Sequence, residues 1–269
     1  MRLHTGKGRG IMRIGFICDL SEADFKFAAD NGFKVVEFNG NHDMEFTKKG
    51  KELAGYVKKY RVDFNMVGLF GRDFIRDDAS ERARHLSDAK KTIDFCAEVG
   101  APVFVTGGGD EGGRPVAENC GRAIEHLGEL IEYARPRGIK VALYNCHWTN
   151  FAVAPDAWEI LMPALPDLGI KYDPSHAIGE KRDFLVELRD WGPKVYHVHA
   201  KGSLTIGGQR FTDPNPGFDE INWGAMFAVL YHHNYAGDVN IEQHAGRWLG
   251  DLKYPGLLFS KRYLEQFVL

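Results

Sequence analysis

Short apolar runs recur eight times along this chain, and each is followed by turn residues and then by a longer segment of helical spacing. The runs fall at residues 12–18, 34–38, 63–69, 102–106, 140–145, 169–173, 194–200 and 238–242. Helices are expected over 22–31, 47–60, 80–99, 116–135, 155–165, 184–191, 223–232 and 259–267. Parallel strands need a crossover connection, most simply a helix, so eight such alternations predict an α/β chain folded as a single closed (β/α)8 barrel. An open, doubly wound sheet is the alternative reading of the same pattern. A chain of 269 residues can bury about 70–75% of its unfolded surface in one core, and no segment reads as a linker. The barrel is expected over residues 12–269, with the polar, glycine-rich residues 1–11 as a disordered or loosely attached leader.

Local signals fit this frame. Ser80, followed by Glu81, Ala83, Leu86, Ala89, Ile93 and Cys96 at helical spacing, is the expected N-cap of the third long helix, and Gly100 its C-cap glycine. Ser21 opens the first helix, with Glu22 and Asp24 near its positive end. A formal net charge of -3 gives no general attraction to nucleic acid. Cys18, Cys96, Cys120 and Cys146 lie far apart without a CxxC pair and read as reduced thiols. No apolar run approaches the ~20 residues of a membrane helix. Neither nucleic acid nor membrane is therefore expected as a partner, and a cytoplasmic location is. Association as a homodimer through the helical faces is compatible with the fold.

The candidate chemistry lies at the strand ends. In Val195-Tyr-His-Val-His-Ala-Lys201, alternation puts His197, His199 and Lys201 on one face. Burying a polar group without a partner costs a few kcal/mol, so three nitrogen-bearing side chains on one face ask for a pocket or a ligand. Asp173 stands where Pro174 ends its strand, with His176 in the turn, and Glu242 faces away from Val239 and Ile241. Asp, His and Glu at three strand ends suit a divalent cation; the bland alternative is three unrelated polar residues. In a barrel, reactive groups collect at the carboxyl ends of the strands, where Glu37, the glycine-rich 107–113 loop, residues 145–148 and His244 also fall. The glycine run matches neither phosphate-binding fingerprint and reads as a flexible substrate loop. Glu37 reads either as a substrate contact or as a solvated strand end. Arg210 and Arg247 are candidates for binding an anionic group or for surface salt bridges.

Asp173-Pro-Ser-His176, His197-Val-His-Ala-Lys201 and Ile241-Glu-Gln-His244, in this order and on these strands, resemble the xylose isomerase-like TIM barrels. That superfamily includes sugar epimerases of the tagatose epimerase type, hydroxypyruvate isomerases, inosose dehydratases and endonuclease IV, and the resemblance covers nearly all of residues 12–269. It implies that Asp173, His199 and Glu242 ligate one divalent ion (Mn, Mg, Co or Zn) and that His176 contacts the substrate's hydroxyls or carbonyl. It further implies a small-molecule sugar substrate, for which Glu37, Trp148, His176, His197 and Arg247 are the candidate contacts. Asp219 would open the seventh helix as a cap.

The sequence departs from the family at strand five. The family carries a glutamate there, as fourth ligand and as one of two acid/base groups, whereas this strand reads Lys140-Val-Ala-Leu-Tyr-Asn-Cys-His-Trp148. With Val141 and Leu143 turned outward, Tyr144 and Cys146 face the lumen. His147 supplies the missing ligand, or Cys146 does so as thiolate, or the site keeps three protein ligands plus water. Glu242 is the candidate base; a second proton-transfer group would be His147, Tyr144, His176 or Lys201, the last also suited to stabilising an enediolate oxygen. The expectation is a divalent-metal-dependent isomerase or epimerase acting on a sugar, keto-sugar or sugar derivative through an enediolate. A lyase or dehydratase on a keto-sugar or inosose, using the same metal, is one alternative; a catalytically inactive sugar-binding barrel is the other.

Overall fold

The computed structural model describes residues 12–41, 43–110 and 112–269; the expected leader at residues 1–11 lies outside them. Ten strands form: β1 (Ile14–Ile17), β2 (Val35–Gly40), β3 (Asp63–Leu69), β4 (Val103–Thr106), β5 (Lys140–Tyr144), β6 (Leu168–Tyr172), β7 (Val195–Ala200), β8 (Leu204–Ile206), β9 (Gln209–Thr212) and β10 (Val239–Ile241). Eight of them close a parallel barrel in the order β1-β10-β7-β6-β5-β4-β3-β2, as the eightfold alternation predicts. Closure pairs Ile14 with Val239 and Gly15 with Asn240. Below that seam the Arg13 guanidinium donates to both Asp238 carboxylate oxygens at 2.9 and 2.8 Å.

The outer layer comprises α1 (Glu22–Asp30), α2 (Gly50–Tyr60), α3 (Ala79–Val99), α4 (Val116–Ala134), α5 (Pro155–Ala164), α6 (Pro174–Gly179), α7 (Phe184–Trp191), α8 (Trp223–His232), α9 (Gly246–Leu249) and α10 (Lys253–Glu265). Ser21 caps α1 by accepting from the Asp24 amide, and Gly100 ends α3 in the left-handed region at φ 80. Two expected caps are corrected. Asp78 rather than Ser80 caps α3, because its carboxylate reaches the free Ser80 and Glu81 amides at 2.9 and 3.0 Å. Asn222 rather than Asp219 caps α8, accepting from the Ala225 amide at 2.9 Å. Helix α10 begins at Lys253, six residues before the expected 259, since Pro255 fits a first turn whose amides have no intrahelical acceptor. The β8–β9 hairpin, absent from the expected elements, turns on Gly207 and Gly208 at φ 61 and 79.

The main core lies between strands and helices, where Phe16, Phe25, Phe33, Phe64, Trp158 and Trp223 are all buried. Each such side chain contributes about 1.5–3 kcal/mol through burial. Inside the barrel, one side is apolar, built from Met66, Phe70, Val103, Val105, Ala142 and Tyr144. The rest of the lumen is polar and buried: Glu37, Asn65, Lys171, His197, His199 and Asn240. Strand alternation creates this division, because β4 and β5 place small and apolar residues inward whereas β6, β7 and β10 place charged and amide side chains there. No helix among the described residues is long and apolar enough to cross a membrane.

Candidate metal and substrate site

A cavity of about 560 Å³ opens at the carboxyl ends of the strands. Phe70, Cys146, His147 and Trp148 line one wall; Lys171, His176, Lys201 and Glu242 line its floor, and Arg210 and His244 its rim. Donor atoms of Asp173, His199 and Glu242 lie within 4.8 Å of one another. A second group, Glu37, His197 and His199, meets the same criterion deeper in the lumen.

Each donor is set by local structure. Asp173 follows β6 and caps α6 through Oδ1, which accepts from the Ser175 amide at 2.9 Å. Its backbone is clamped by the Asn145 side chain, which accepts from the Asp173 amide and donates to its carbonyl, both at 2.9 Å. This leaves Asp173 Oδ2 buried without a hydrogen-bond partner. His199 Nδ1 donates to Glu242 Oε2 at 2.5 Å, and its Nε2 lies 2.6 Å from Glu37 Oε1 without hydrogen-bond alignment. Glu37 Oε2 also accepts from His197 Nε2 at 2.6 Å and from Asn240 Nδ2 at 2.7 Å.

Two lysines complete the electrostatics. Lys201 Nζ lies 3.1 Å from Asp173 Oδ2, 2.9 Å from His176 Nε2 and 3.9 Å from Glu242 Oε1; Lys171 Nζ lies 3.7 Å from Glu242 Oε2. Burial pushes the Asp173 and Glu242 carboxyls up, but Lys201 leads the charges that outweigh it and hold both well below the usual carboxylate range. Burial acts downward on Lys201, and Asp173 and Glu242 nevertheless keep it above the ordinary lysine value. For His176, burial prevails and lowers its pKa. Glu37 is held far below its usual range because His199 and His197 outweigh burial.

Of the residues singled out from sequence, Asp173, His176, His199, Lys201 and Glu242 come together, and Trp148 stands in the wall, 5.6 Å ring to ring from Phe70. The others do not join this cluster. His147 is 60% exposed and pairs with Glu180 at 2.8 Å, so it joins neither donor group among the described residues. Glu37 and His197 are fully buried beneath the cavity and do not line it, because their positions on β2 and β7 lie below the strand ends. Arg247 points to Asp251 at 2.7 Å on the exposed α9. The expected fourth-ligand position is filled by Tyr144, which stacks on Phe70 with centroids 4.4 Å apart and donates to the Trp148 carbonyl at 2.5 Å. None of the described residues of the 107–113 run lines the cavity; Gly107 is required because a Cβ there would fall 2.5 Å from the Tyr144 hydroxyl. Sequence reasoning missed Lys171, although the alternation that linked His199 to Lys201 equally links Lys171 to Asp173.

The fold agrees with comparisons to known proteins. A family model described as xylose isomerase-like TIM barrel matches residues 25–256. No curated protein matches the chain in sequence at a significant level. Among solved structures, a xylose isomerase domain protein from Planctomyces limnophilus superposes with TM-score 0.78 at 16% identity, covering 96% of this chain and 97% of that one. The 3-keto-D-glucoside 4-epimerase YcjR from E. coli gives 0.77 at 18% identity, over 94% and 99%. An IOLI protein with a bound zinc atom gives 0.79 at 17% identity, over 95% and 98%. At such identities these superpositions speak to the fold, whereas the family model spans most of the sequence. The chain belongs to the xylose isomerase-like TIM barrel family.

Proposed function

We propose that this chain is a divalent-metal-dependent isomerase or epimerase of a sugar, keto-sugar or sugar derivative. The observation that carries the reading is the convergence of Asp173, His199 and Glu242 donors within 4.8 Å at the floor of a sugar-sized cavity. The residues fit a cation: Asp173 Oδ2 is buried without an aligned hydrogen bond, and His199 turns Nδ1 to Glu242, so two carboxylates and an imidazole nitrogen face one point. Asp173, His199 and Glu242 would hold it, leaving three protein ligands now that His147 is committed to Glu180. Bound there, a divalent ion supplies Lewis-acid polarisation of a substrate carbonyl.

The chain's own groups divide the remaining work. Glu242, ionised between Lys171, Lys201 and His199, takes the proton α to the carbonyl. Lys201 stabilises negative charge developing on the enediolate oxygen, and His176, beside it at 2.9 Å, meets a substrate hydroxyl. Phe70 and Trp148 pack the apolar face of the sugar and keep water from that side. The test is metal analysis of the wild type and Asp173→Ala, with deuterium uptake from solvent into recovered ketose. One ion per chain in the wild type, lost in the variant, and exchange abolished by Glu242→Gln are expected; no ion in either protein and no exchange would overturn the reading.

A lyase or dehydratase is the second reading, and Tyr144 favours it. Its hydroxyl is spent on the Trp148 carbonyl, and of the two described carboxylates lining the cavity Glu180 is paired with His147 and Arg182, which leaves Glu242 as the base at the floor and suits elimination better than symmetric two-carboxylate epimerisation. Loss of a β-substituent accompanying exchange would select it over isomerisation.

A further inference from the structure

Lys171 enters the proposed chemistry only through its charge beside Glu242. It faces the lumen from β6, register-paired with Tyr144, with its side chain 2% exposed. Among the described residues its ammonium makes no hydrogen bond, and its one ion-pair contact is Glu242 at 3.7 Å, beyond hydrogen-bond reach. Buried donors are normally satisfied, and an ammonium carries three of them. Lys171 nonetheless lines the cavity, so the acceptor it lacks has room to arrive from the cavity side.

Charge balance points the same way. The buried carboxylates Glu37 and Asp173 and the half-buried Glu242 face two buried ammonium groups, Lys171 and Lys201, leaving one negative charge. A divalent cation held by Asp173, His199 and Glu242 would turn that balance positive. A neutral sugar offers such a pocket only dipoles, whereas an anion answers both the surplus charge and the open donors of Lys171.

Resting on the metal-dependent reading above and deepening it, we infer that the substrate is an anionic sugar derivative whose carboxylate, next to the reacting carbonyl, is bound by Lys171. At the rim, Arg210 is engaged by Asp213 at 2.6 Å and His244 meets the same carboxylate at 3.0 Å, so the rim arginine is already paired and the deep site is the selective one.

The inference is tested by calorimetric binding of a ketohexose, its 6-phosphate and a 2-keto-aldonate of equal carbon number to the zinc-loaded protein. The 2-keto-aldonate is expected to bind about ten-fold or more tightly than the ketohexose. Lys171→Met should bring the two within about two-fold while ketohexose affinity holds, and Lys171→Arg should keep most of the preference. Equal affinities in the wild type, no binding of any of the three, or a preference that survives Lys171→Met and disappears in Arg210→Gln would overturn it. A wild-type preference for the 6-phosphate over the aldonate would overturn it as well, by moving the anion to the rim. The wild-type comparison decides the matter even where Lys171→Met does not fold. Because binding is read without turnover, the two failures are distinguishable: absence of bound metal and of solvent exchange sinks the enzyme reading and this inference with it, whereas metal and exchange without anion preference sink only this inference.

Discussion

Glu37 is the residue whose replacement most directly measures how the buried half of the site is held together. In Glu37→Gln one carboxylate oxygen becomes an NH2 group. The lost oxygen is either Oε2, serving His197 at 2.6 Å and Asn240 at 2.7 Å, or Oε1, beside His199 at 2.6 Å and Asn39 at 3.1 Å. Hydrogen bonds to a charged group contribute about 1.5–3 kcal/mol each, and the two lost with one oxygen are partly offset by the remaining amide oxygen, which gives a net destabilisation of about 3 kcal/mol. For a chain of this size that lowers Tm by about 6–12 °C. The assay is thermal unfolding by circular dichroism in the presence of chelator, at several pH values. The Glu37 carboxyl is held below its usual range, so its contribution is fully present above the unfolded value of about 4.3 and is lost as pH falls further. Burial pulls His199 down, but Glu37 and Glu242 raise it above the ordinary histidine value, so its share is present at lower pH and is lost as pH rises through the raised value. The gap between wild type and variant should therefore be widest near pH 5–6 and narrow on both sides, on the order of the ordinary Glu and His ranges. A loss under about 1 kcal/mol, unchanged from pH 7 to pH 4, would refute the reasoning.

Tyr144→Glu restores a carboxylate to the strand-five position; it should raise divalent-metal affinity about ten-fold or more in a chelator competition, while losing the Phe70 stack costs about 3 kcal/mol of stability. Unchanged affinity would mean that this position does not reach the donor group. Gly15→Ala would put a Cβ 2.3 Å from Asn240 Oδ1 and 2.7 Å from the Val35 carbonyl. Because a backbone atom is in the way, a loss of about 1–3 kcal/mol is expected in urea unfolding, and a neutral result would contradict the packing at the barrel seam.

The period of two along the strands told which residues face the lumen, and so Asp173, His199, Lys201 and Glu242 could be grouped from sequence. It did not tell depth. Glu37 and His197 face inward as alternation requires, but lie one layer below the cavity, where they hold His199 instead of meeting solvent. The direction of a side chain just past a strand end is set by the loop, which explains why His147 turns to Glu180 and Arg247 to Asp251. The β8–β9 hairpin had a readable signal in Gly207-Gly208 between Leu204–Ile206 and Gln209–Thr212, but its strands are short and exposed and carry little apolar pattern. Lys171 was legible by the same alternation as Lys201, since it lies two residues before Asp173 on the same face.

The seam between the first and last barrel strands has a consequence for synthesis. The ribosome delivers Ile14 early and Val239 more than two hundred residues later, and the edge of β1 that awaits β10 stays open until then. Nascent chains must carry an unsatisfied strand border through most of translation, which makes that border the point where chaperone engagement or aberrant pairing would be concentrated. Because Glu242 follows directly on the closing strand, the proposed cation site would be completed with the final stave and not before.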